Sequence, residues 1–138
     1  MKHPLFALIG LGLLLAAASA YAQTGAVKAN VPFNFVVEKA DLPAGQYVIQ
    51  SAGLAGSFTT IQSKDRQVIK AIIPNACESN QAQTKTKLVF HRYGDRYFLA
   101  QIWTAGNNRG RELQMSKRET EVARNYPVQD VVVVATLR

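Results

Sequence analysis

The sequence predicts a mainly β fold, an antiparallel sandwich or small barrel of about seven strands with one short helix before the last strand. Three observations predict it. Apolar residues alternate with polar ones from Val31 onward, and turn residues at 42–45, 53–56, 64–66 and 94–95 interrupt them. Lys87–Tyr93 and Arg96–Thr104 read as a hairpin closed by the two-residue loop Gly94-Asp95. Ser116-Lys117-Arg118-Glu119 has the spacing of a helix start in which a cap hydroxyl and a glutamate satisfy each other's backbone donors. The 138 residues, 48% apolar and 18% charged, have the composition of one globular domain, which excludes disorder, collagen and coiled coil.

The first 22 residues read as a secretory leader. Lys2 and His3 precede an apolar run from Leu5 to Leu15, and Ala18-Ser19-Ala20-Tyr21-Ala22 places small residues at cleavage spacing. The apolar stretch 5–18 is shorter than the about 20 residues needed to cross a bilayer. The expectation is an exported chain, periplasmic or extracellular, with a single β-rich domain over 23–138 and no integral membrane segment after cleavage. A lone Cys77 permits no internal disulfide, so packing must hold the fold. Its acidic neighbour Glu78 raises rather than lowers a thiol pKa, which makes it unreactive unless it pairs between chains.

The elements follow in order. Val31–Val37 is a first strand, with Pro32 confining it to an edge or a strand start. Leu42-Pro43-Ala44-Gly45 is a turn, with glycine supplying the positive φ of a type II geometry. Gln46–Ser51, Phe58–Ser63 and Val68–Ile73 are three further strands, separated by Gly53 and Gly56 and then by Lys64-Asp65-Arg66. Asn75–Thr86, rich in Gln, Thr and Asn, reads as an irregular connection. In the hairpin, Tyr93 pairs with Arg96, Arg92 with Tyr97, His91 with Phe98, Phe90 with Leu99 and Val89 with Ala100. That register puts Leu88, Phe90, Arg92, Tyr97, Leu99, Gln101 and Trp103 on one face. Val89, His91, Tyr93, Arg96, Phe98, Ala100 and Ile102 fall on the other. Neither face is polar enough to meet solvent, so a second sheet and the helix are expected to cover them. The helix runs from Lys117 to about Asn125, Tyr126-Pro127 ends it, and Val128–Leu137 is the last strand.

Catalytic chemistry has little to work with. His91 is the only histidine beyond the leader, so a histidine-based zinc site is excluded, and nothing calls for a metal or cofactor. Nucleophile-elbow, zincin, P-loop and dinucleotide motifs are absent. His91, Arg92, Tyr93, Asp95 and Arg96 crowd the hairpin tip; a plain reading pairs Arg96 with the Tyr93 ring and leaves Asp95 to the turn. The catalytic alternative is a small hydrolase or isomerase with His91 as general base, assisted by Asp95 or Glu112 beneath the helix. Candidate ligand-binding residues are His91, Arg92, Tyr93, Arg96, Tyr97, Trp103 and Arg111. A net charge of +7 admits a polyanion surface built from Arg109, Arg111, Lys117, Arg118 and Arg124. Glu112, Glu119 and Glu121 are interleaved with these, which suits a solvated face better and argues against nucleic acid. A transmembrane barrel is disfavoured by Lys70, Arg92 and Gln101 on short strands.

The strings Asn30-Val31-Pro32-Phe33-Asn34-Phe35, Leu42-Pro43-Ala44-Gly45-Gln46-Tyr47, Lys87 through Leu99 and Gly110-Arg111-Glu112-Leu113 stand in a fixed order. In this the chain resembles a group of small exported bacterial β-rich proteins of uncharacterised function. The resemblance spans nearly all of 23–138 and implies export and a β-rich domain, but no catalytic residue. The expected function is therefore a non-enzymatic binding or structural module of the cell envelope. It would hold an apolar molecule between its sheets or a protein partner over one face, with self-association as one form of the latter.

Overall fold

The computed structural model describes residues 26–137, so the expected leader 1–22 lies outside the described residues. Twelve strands form among them: β1 Val27–Val31, β2 Phe35–Val37, β3 Ala40–Leu42, β4 Gly45–Ala52, β5 Phe58–Ser63, β6 Ile69–Ile72, β7 Asn75–Glu78, β8 Lys87–Tyr93, β9 Arg96–Trp103, β10 Arg109–Glu112, β11 Gln129–Val134 and β12 Thr136–Leu137. Among the described residues one α-helix, α1, spans Lys117–Ala123 between β10 and β11. The strands make two sheets, a five-stranded one in the order β12-β1-β4-β5-β6 and a seven-stranded one in the order β11-β8-β9-β10-β7 with β2 and β3 attached to β9. All pairings are antiparallel except β2 with β9. The sheets stack as a sandwich, not a closed barrel. The chain passes between them through Ile73-Pro74, from β6 to β7, and through Ala135, from β11 to β12.

Alternation along each strand builds the core. Val27, Ala29, Val31, Tyr47, Ile49, Ile61 and Ile72 point inward from the five-stranded sheet and meet Phe35, Val37, Leu42, Leu88, Phe90, Leu99 and Ile102 from the other. Burying each large apolar side chain contributes about 1.5–3 kcal/mol, enough for a chain without disulfides. Lys28, Gln50 and Gln62 alternate with core residues on β1, β4 and β5, leaving the outer face of the five-stranded sheet to solvent.

Four expectations are corrected. The strand expected over Val31–Val37 breaks after Val31, because Pro32 has no N–H for the ladder and Asn34 Oδ1 accepts from Ala44 N at 2.9 Å. Phe33 in that break stacks on Tyr97 with ring centroids 3.8 Å apart. Gly45 has φ +156 and begins β4 directly, so no type II turn forms; Tyr47 instead donates its hydroxyl to Pro43 O at 2.6 Å. Asn75–Thr86 is not wholly irregular, since Asn75–Glu78 pairs as β7 with β10. The expected last strand divides at Ala135 and serves both sheets.

The hairpin forms with Gly94 at φ +63 and with the expected pairs from Tyr93↔Arg96 to Phe90↔Leu99. A bulge beside Val89 then pairs that residue with Gln101 in place of Ala100. One extra residue turns the following side chains over. Ile102 consequently joins Leu88, Phe90 and Leu99 in the core, while Gln101 and Trp103 take the outer face beside Val89.

Candidate functional site

Tyr93 and Phe98 face outward from the hairpin, and α1 lies over them, with Val122 and Ala123 packed against Val36, Tyr93 and Phe98. The helix is anchored at its first turn. Ser116 Oγ accepts from Glu119 N at 3.1 Å, and Arg118 pairs with Asp41 of β3 at 3.0 Å. Only this half of the expected reciprocal cap is made. The Glu119 side chain turns away from the helix start and into the sheet.

Glu119 is 5% exposed, and its Oε2 accepts two hydrogen bonds from β8. Tyr93 Oη donates at 2.7 Å and His91 Nδ1 donates at 2.9 Å. A buried carboxylate is tolerated because both donors satisfy it. On the other side of the imidazole, Nε2 lies 3.8 Å from Asp130, the residue of β11 in register with His91. The hydrogen bond to Glu119 raises the His91 pKa against the opposing effect of burial, and the charges of Glu119, Asp130 and Glu112 add to the rise. Burial, then Glu119, pushes the Tyr93 phenol far above its ordinary range. This arrangement fixes the imidazole with Nδ1 as the protonated nitrogen and favours the imidazolium. Chemically it can hold a proton between two carboxylates.

His91 makes its side-chain hydrogen bond to Glu119, not to a hydroxyl or thiol that it could activate. Two of the larger clefts lie elsewhere. One of about 500 Å³ is lined by Asn34, Phe35, Asp41, Arg96, Tyr97 and Arg118. Another of about 470 Å³ is lined by Ile73, Leu113 and Met115 with Lys39, Lys117 and Glu121 at its rim. Among the described residues no group of three His, Cys, Asp or Glu side chains could hold a metal. No described helix is long and apolar enough to cross a membrane.

The other residues singled out from the sequence fall in separate places. Asp95 and Arg96 line the cleft below the hairpin tip, away from the imidazole. Glu112 is on β10 and reaches His91 only through its charge. Arg92 and Tyr97 form the cation–π contact at 5.5 Å, where the sequence suggested Arg96 and Tyr93. Trp103 lies over Gly110 at the far end of the hairpin, donating Nε1 to Gln101 at 3.0 Å. Arg111 points between the sheets and donates to Thr59 Oγ1 at 3.2 Å; burial lowers its pKa. Arg109 pairs with Glu78 at 3.3 Å and Arg118 with Asp41, so Arg109, Arg111 and Arg118 are each engaged separately. Cys77 is half-buried on β7, and burial followed by the Glu112 charge raises its pKa.

Glu119 and Asp130, the carboxylates that face His91, were not singled out from sequence as its partners. Ser116-x-x-Glu119 signalled a cap, but the pairing of β11 with β8 that sets Asp130 opposite His91 had no local signal. No protein-family model, no curated protein and no solved structure matches the chain.

Proposed function

We propose that this chain is an exported, non-enzymatic β-sandwich module of the cell envelope that works by offering one sheet edge to a protein partner. The leader-like residues 1–22 support export. The observation that carries the docking role is β11, a six-residue edge strand, Gln129–Val134, which pairs with β8 on one side and with no other described strand.

Edges are liabilities that chains blunt with shortness, prolines or inward charges. The other edges here are blunted. β12 has two residues and β3 three, while β7 follows Pro74 and carries an Arg109–Glu78 ion pair. On β6, Lys70 shares the inward face of Ile72 and pairs with Glu38 at 3.4 Å. β11 starts two residues after Pro127 and carries one charge, Asp130, which faces His91 of β8, but its last four residues are valines, of which Val132 and Val134 are 51% and 59% exposed. An apolar edge left in this state is suited to receive another strand. Engagement of His91 Nδ1 and Tyr93 Oη with Glu119 supports the non-enzymatic reading, because these two atoms hold α1 in place.

A photo-reactive side chain placed at position 132 of the full chain, irradiated in cells, tests the role. A protein adduct at position 132, and none from the same probe at Gln50 on the solvent face, is the expected outcome. Equal capture at both positions, or none at 132, contradicts it.

A further inference from the structure

We infer that the partner seated on β11 is a second copy of this chain, paired antiparallel about a two-fold axis at Val132. The inference rests on the reading of β11 as a docking edge and names its occupant. Ala135 N donates to Thr86 O at 2.8 Å, on the side toward β8. Backbone groups alternate direction along a strand, so the N–H and C=O groups of Asp130, Val132 and Val134 point to the open side.

An antiparallel copy centred on Val132 sets Val132 against Val132, Asp130 against Val134 and Val131 against Val133. Every outward donor then meets an outward acceptor, and the two seven-stranded sheets become one continuous sheet. The side chains agree with this register. Val132 of each copy extends the outer row that begins at Val89, and the partly buried Val131 and Val133 extend the inner row. Charges agree as well, because Asp130 is the only charged residue of β11 and the axis keeps the two copies of it apart. Opposite each Asp130 stands Val134, whose neighbour in the same row is Lys87 on β8. Centring the pair on Asp130 instead would oppose two like charges, which is unfavourable.

Cysteine pairing reads this register directly. In a Cys77→Ser background, Val132→Cys is expected to form an interchain disulfide under mild oxidation, because hydrogen-bonded cross-strand Cα atoms lie about 5.5 Å apart. Asp130→Cys and Val134→Cys are each expected not to link alone, but to link when the two variants are mixed. Sedimentation of the protein recovered from the envelope fraction should give a dimer, and Val132→Lys should weaken association by about tenfold or more with unchanged circular dichroism. A wild-type monomer at micromolar concentrations, or linkage of Asp130→Cys by itself, overturns the two-fold. If the photo-probe at 132 then captures a different protein, the docking edge stands and only its occupant changes. If it captures nothing, both readings fail.

Discussion

Tyr93 donates its hydroxyl proton to Glu119 at 2.7 Å, joining β8 to the only α-helix of the described residues. His91 binds the same carboxylate oxygen from two residues away on β8. One buried glutamate thereby fixes the position of α1 over the hairpin. The histidine that looks catalytic in the sequence is part of a fastening, and its removal should change stability.

Replacing Glu119 with Ala leaves the buried Tyr93 hydroxyl without its acceptor. A loss of about 2–3 kcal/mol is expected. Tyr93→Phe removes the donor but keeps the packing, and should cost about 1–2 kcal/mol. Urea unfolding checks both: the midpoint should fall with no change in slope, and more for Glu119→Ala than for Tyr93→Phe.

Stability should fall as pH rises through the neutral range. The pKa of His91 is raised in the folded protein above its ordinary 6.5, so the folded state holds a proton that the unfolded chain releases. Its contribution is complete below about pH 6 and is lost as pH passes the folded pKa. Thermal melts between pH 5.5 and 8.5 should show this decline for the wild type and a flatter profile for His91→Gln. An equal slope in both proteins would remove His91 from the account.

Gly110 is required for its lack of a side chain. A Cβ there would lie 2.6 Å from the Trp103 ring, which sits over the strand. Gly110→Ala should cost about 1–3 kcal/mol through forced displacement of the indole. Trp103 is the only tryptophan, so its fluorescence should also shift to the red as it gains solvent.

Lys70 guards the β6 edge. Lys70→Val removes the inward charge beside the exposed Ile69, and it should raise aggregation while moving the unfolding midpoint little, since the Lys70–Glu38 pair is partly exposed. Light scattering over days at constant concentration checks this. A variant as soluble as wild type would show that the charge is not protective.

Local chemistry made part of this fold legible. Gly94 at the hairpin turn, Ser116 at the helix start and the alternation along β4, β5 and β8 each state their role within a few residues of sequence. What escaped depends on distant register. The bulge beside Val89 falls where Leu99, Ala100 and Gln101 suit either face, so nothing local placed it or returned Ile102 to the core. β7 and β10 pair through their backbones at the rim of the sheet, where apolar side chains are not needed and polar residues resemble a loop. The His91–Glu119 bond spans 28 positions, and the contact with Asp130 depends on how the last strand returns. The hairpin tip drew attention because charges crowd it in sequence, but the sheet sends Arg92 and Tyr97 to one face and His91 and Tyr93 to the other.

Amide exchange along β11 tests the central claim most directly. In dilute protein, Val131, Val133 and Ala135 should exchange slowly because they face β8, while Asp130, Val132 and Val134 exchange fast. When the partner is engaged, at high concentration or in the envelope fraction, Val132 and Val134 should slow to the rate of their neighbours. Fast exchange at Val132 and Val134 under every condition would contradict a docking edge.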